Sequence, residues 1–106
     1  MMKMRTKVYV ILSLVLALAA CGHDGDNPAV RGKQVYLAEC TACHNSDPAK
    51  DGPIGPAIKG SSQKLLEAKI LRASYPPGYT PKRPTSLMPP RPQIASKIPE
   101  LAAFLR

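Results

Sequence analysis

All twelve prolines of this 106-residue chain fall after Cys21, within 86 residues. That stretch holds no tryptophan, and its only aromatic residues are Tyr36, Tyr75, Tyr79 and Phe104. A domain so small and so rich in proline buries little apolar surface by itself, and such domains need a staple. The sequence offers one at Cys40-Thr41-Ala42-Cys43-His44. Two thiols three residues apart on a helical turn point the same way, and the imidazole follows directly. Three chemistries use such a set. In a C-x-x-C-H pentapeptide the thiols can add to the two vinyl groups of one c-type haem, with His44 as a ligand to its iron. A thiol–disulfide pair is the second, but it needs a thioredoxin-like βαβ pattern, which this sequence lacks. Zinc is the third, and it has no clear fourth ligand.

The pattern extends beyond the pentapeptide. Gly32, Val35 and Tyr36 precede Cys40, Cys43 and His44. Gly55-Pro56 follows, then Met88-Pro89, then the run of residues 101–105, Leu-Ala-Ala-Phe-Leu. In this order, from about residue 30 to 106, the chain resembles the small class I cytochromes c, bacterial and lipoprotein-anchored in type. The resemblance implies an all-α fold of three to four short helices around one covalent haem c. It implies thioether bonds from Cys40 and Cys43, and His44 and Met88 as axial iron ligands. It also implies that the Pro56 carbonyl accepts a hydrogen bond from the other ring nitrogen of His44, fixing its tautomer and strengthening its donation to iron. Met88 is the only methionine outside the first four residues.

The N-terminal stretch reads as a secretory signal. Lys3, Arg5 and Lys7 are followed by an apolar run over residues 8–20, interrupted only by Ser13. The run is too short for a membrane-spanning helix. Leu18-Ala19-Ala20-Cys21 resembles a bacterial lipobox, whose cysteine becomes the lipidated first residue. The other reading is cleavage at a small-residue site that leaves Cys21 a free thiol. The expected organisation is a removed signal over 1–20, a polar tether over 21–27 containing His23, and a haem domain over 28–106. Three cysteines, an odd number for a disulfide scaffold, then receive three assignments: lipid on Cys21 and haem on Cys40 and Cys43. Without the signal, twelve basic residues face seven acidic ones, a net charge of +5. That charge suits solubility, or steering toward an acidic face on a redox partner. Export and the haem motif argue against nucleic acid.

Along the domain, Asn27-Pro28 predicts a helix start, with the helix running to Glu39 or Cys40. Gly32 inside it costs about 1 kcal/mol relative to alanine. By resemblance, Gly32 and Tyr36 meet the last helix at Leu101 and Phe104. Residues 45–60 form a loop, with Ile54 and Ile58 placed to cover the cofactor. Ser61 or Ser62 caps a second helix reaching about Ala73, with Leu66, Ile70 and Ala73 on one side. Tyr75 and Tyr79 follow it, and Tyr79 is the preferred haem contact. Residues 80–92 form a proline-rich strap carrying Met88. Lys82, Arg83 and Arg91 flank it as a basic rim or as solvated charges. Ser96 caps a last helix over 97–106, whose buried face is Ile98, Leu101, Ala102 and Leu105.

The function these features imply is that of a monomeric, membrane-tethered carrier of single electrons, not an enzyme, exported and facing the periplasm or cell exterior. Its partners would be a quinol-oxidising complex, a terminal oxidase or reductase, or a periplasmic dehydrogenase. The competing class is a haem-based gas sensor or haem enzyme, which needs an open or displaceable sixth iron position.

Overall fold

The computed structural model describes residues 24–106, which contain helices and no strand. The expected signal, Cys21 and His23 lie outside the described residues. After a 3₁₀ turn over Asp24–Asp26, helix α1 spans Pro28–Glu39. Its start follows from local chemistry. The Asn27 side chain accepts the Ala29 amide at 2.9 Å, and Pro28 stands where its missing N–H is not needed. Helix α2 spans Gln63–Arg72, and the Ser62 hydroxyl accepts the Leu65 amide at 3.1 Å. Helix α3 spans Ile98–Leu105.

The core forms where α1 crosses α3. Gly32 and Tyr36, four residues apart, are the buried residues of α1. Ile98, Leu101, Ala102 and Leu105 are the buried face of α3, as their spacing predicts. A Cβ at Gly32 would run into the backbone carbonyl of Glu100 and stand 3.0 Å from the Phe104 Cβ. The absence of a side chain is therefore what lets the helices approach. Beside the crossing, the Tyr36 and Phe104 rings pack at 5.5 Å between centroids, inclined at 48°. Arg31 closes the same seam. Its Nε donates to Glu100 at 2.9 Å, and Nη1 donates to the Gly25 carbonyl at 2.8 Å, fastening the segment before α1 to the domain.

α2 adds Leu66, Ala68 and Ile70 to the interior. Ala73 does not continue that face. It terminates the helix in the left-handed region at φ 50°, and it is exposed. The Ala73 amide bonds the Lys69 carbonyl at 3.0 Å, the 5→1 bond of a left-handed stop, and the Ser74 amide reaches the Ala68 carbonyl at 3.0 Å. The expected Ser96 cap is also absent. Residues Pro92–Lys97 form a 3₁₀ segment that runs into α3, so Lys97 holds the cap position without a side-chain bond. Ser96 lies within a turn already wound, where its backbone has no extended conformation from which to cap.

Candidate cofactor site

The Cys40–His44 pentapeptide continues α1 by one turn. The Cys40 amide donates to the Tyr36 carbonyl at 2.9 Å, and the His44 amide donates to the Cys40 carbonyl at 2.9 Å. The two thiols are not bonded to each other. Burial pushes the Cys40 thiol up to about 11; the nearby Arg91 opposes the shift and Glu39 adds to it. The thiol is therefore held neutral near pH 7. The fully buried Tyr36 braces the turn from behind, its hydroxyl donating to the Asn45 carbonyl at 2.5 Å. Burial raises the pKa of that hydroxyl, and Cys40 and Asp47 raise it further.

The loop at residues 52–56 wraps the other side. The amides of Ile54 and Gly55 both donate to the Cys43 carbonyl, at 3.2 and 2.8 Å. The Gly52 amide closes the loop on the Gly55 carbonyl at 2.9 Å. His44 is buried, with its Nδ1 2.9 Å from the Pro56 carbonyl oxygen. A carbonyl only accepts, so this contact sets the proton on Nδ1 and leaves Nε2 free as a donor to a metal. The sequence pair Gly55-Pro56 pointed here through the proline alone. The glycine matters equally: a Cβ on Gly55 would overlap the imidazole, 2.6 Å from Nδ1 and 2.9 Å from Nε2. A Cβ on Gly52 would similarly meet Asn45 N at 2.6 Å. Nothing in composition marks these two glycines. The signal was their place within the twelve residues that follow His44.

Cys40, Cys43 and His44 line one part of a cleft whose void, counted to its open mouth, is about 1280 Å³. Met88 lines it too, half-buried and packed against the core. The floor is Leu66, Ile70, Ile94, Leu101 and Leu105, the same side chains that make the core. Ile54, Ile58, Tyr75 and Tyr79 contribute to the walls. The tyrosines stack on each other at 5.4 Å and 7°, and Lys69 Nζ stands 4.4 Å from the Tyr75 ring centre. Neither that stack nor the place of Lys69 is legible from residue order alone.

The basic residues of the strap each find a partner while staying open to solvent. Lys82 Nζ donates to the Ala57 carbonyl at 2.7 Å. Arg83 pairs with Asp51 at 3.6 Å, and Arg91 donates to Glu39 at 3.1 Å. Their partners are 25 or more residues distant in the chain, so charge alone could not reveal them.

The residues present fit a haem. The cleft is open at its mouth and largely apolar in its lining, which suits a broad apolar ring with a polar edge. Two thiols and an imidazole with its proton fixed away from the cleft supply the attachment chemistry. The alternatives fare worse. Among the described residues no three or more His, Cys, Asp or Glu side chains gather to hold a bare metal ion. The absence of strands among them excludes a thioredoxin-like unit. No helix of the described residues is long and apolar enough to cross a membrane. The family model described as Cytochrome c matches residues 29–106. No curated protein and no solved structure matches the chain.

Proposed function

Because the chain belongs to the cytochrome c family, a family of haem-based electron carriers, we propose that it is a class I, His/Met-ligated carrier held at a membrane surface by lipid on Cys21. Haem c, covalently bound, is its cofactor and supplies one-electron iron chemistry. Cys40 and Cys43 hold it as thioethers. His44 is the proximal ligand, and the Pro56 carbonyl at 2.9 Å orients it. Met88 is the second axial ligand. A thioether opposite an imidazole favours the ferrous state and raises the reduction potential. It also leaves no position for substrate, so the protein passes electrons without making bonds. Tyr79 borders the cofactor from the wall of the cleft. The net positive charge of the domain steers it to an acidic face of a redox partner outside the cytoplasm. The observation that carries this reading is the common cleft lined by Cys40, Cys43, His44 and Met88.

Absorption spectra of the exported protein test it, taken oxidised, reduced, and reduced with carbon monoxide. Low-spin c-type bands, a methionine–iron charge-transfer band and no response to carbon monoxide are the expected results. A carbon monoxide shift in untreated ferrous protein would replace the carrier with a sensor or catalyst. Mass spectrometry of the membrane fraction checks for a diacylglyceryl group on Cys21.

A further inference from the structure

The strap carrying Met88 has almost no backbone attachment of its own. Outside the helices, no backbone hydrogen bond in the described residues involves positions 80–90. The prolines at 81, 84, 89 and 90 remove four of its donors. What fastens it is side-chain charge at either end. On the N-terminal side, Lys82 reaches the Ala57 carbonyl at 2.7 Å and Arg83 faces Asp51 at 3.6 Å. Both anchors belong to the loop that presents Pro56 to His44. On the C-terminal side, the Arg91 amide donates to the Ile70 carbonyl at 2.6 Å, and its guanidinium meets Glu39 at 3.1 Å. Glu39 is the last residue of α1 and directly precedes Cys40.

We propose that Lys82, Arg83 and Arg91, with Asp51 and Glu39, are positioning residues that buckle the Met88 strap across the cleft, so that ionic strength governs how firmly Met88 stays at iron. The inference rests on Met88 being the second axial ligand. Both ion pairs are half-exposed, with side-chain exposures of 41% and 68% for Arg83–Asp51 and 33% and 36% for Arg91–Glu39. Pairs so open to solvent are individually weak and are screened by salt. Their effect lies in acting on a segment that little else restrains. When they are screened the strap lifts more often, and Met88 yields its place to a competitor.

The test uses haem-loaded protein with imidazole as the competitor for the position opposite His44. Asp51→Asn keeps an oxygen for the Ala57 amide, which Asp51 accepts at 2.8 Å, and removes only the charge. Glu39→Gln does the same for Arg91. The double variant should bind imidazole about tenfold more tightly than wild type at low salt. Trypsin should cut it after Lys82 several times faster. Wild type should approach the variant's affinity as salt rises from 10 to 500 mM, while the variant should hardly change. Arg83→Gln, which leaves Asp51 in place, should shift imidazole binding in the same direction. Equal affinities, equal cutting rates and an unchanged salt response in these variants would overturn the buckle. Failure of the ligation reading looks different: wild type lacking the methionine–iron band, or Met88→Ala retaining it.

Discussion

Replacing Gly32 by alanine reverses the sign that helix propensity alone would give. In an exposed helix interior, Gly→Ala is worth about 1 kcal/mol of added stability. At Gly32 the new Cβ falls on the Glu100 carbonyl, far inside the 3.0 Å that real Cβ atoms keep, and also touches the Phe104 Cβ. The carbonyl is backbone, so it cannot rotate away. α1 and α3 must separate, and the Tyr36–Phe104 packing and the Arg31–Glu100 bond separate with them. Overpacking of this kind costs about 3 kcal/mol, the upper end of its usual range. Subtracting the propensity gain leaves a net loss of about 2 kcal/mol. For a domain of this size, 1 kcal/mol moves Tm by about 4–8 °C. Haem-loaded Gly32→Ala should thus melt about 8–16 °C below wild type by circular dichroism at 222 nm. A Tm equal to or above that of wild type would mean that the two helices do not meet at Gly32 as described.

Gly55→Ala should press on the imidazole, weaken the Nδ1 contact with Pro56 and raise the reduction potential by about 40 mV, on the order of 1 kcal/mol for one electron; protein-film voltammetry reads it. Haem-free chain should be poorly folded, because the floor of the cleft is the core; a well-dispersed NMR spectrum would contradict this. Tyr36→Phe should lose about 1 kcal/mol at pH 7 with the Asn45 bond. Because burial holds the Tyr36 hydroxyl above its ordinary value of 10, its contribution is intact below pH 10 and is lost as pH rises through the folded value. The wild type should therefore lose its advantage over Tyr36→Phe in alkaline melts. Ala73→Gly should gain about 1 kcal/mol at the left-handed cap, raising Tm by about 4–8 °C.

Short-range chemistry made much of this fold legible. Asn27-Pro28 and Ser62 start α1 and α2 because a cap needs only its own next three residues. The spacing of Ile98, Leu101, Ala102 and Leu105 marks the face of α3 for the same reason. Ala73 misled, since apolar period continued past the point where the backbone had turned. Ser96 misled, since the preceding residues had already wound into a 3₁₀ segment. The cations of the strap were visible, but their meaning was not. Glu39 stands 52 residues from Arg91, and pairing over that distance is decided by tertiary structure. Gly52 and Gly55 were legible only as turn residues, because the space a glycine leaves is known only once its neighbour is placed.

Arg31 holds the Gly25 carbonyl, so the length of a leash from an anchor to the domain is counted to that residue. With lipid on Cys21 as proposed, three residues lie between the anchor and Gly25, four Cα-to-Cα steps in all. Fully extended, they span at most about 14 Å. The haem domain then travels in a layer scarcely thicker than itself, and its search for donor and acceptor is two-dimensional. Arg31→Gln would lengthen the leash without touching the cleft, converting a carrier that serves its own membrane surface into one that also reaches partners standing off from it.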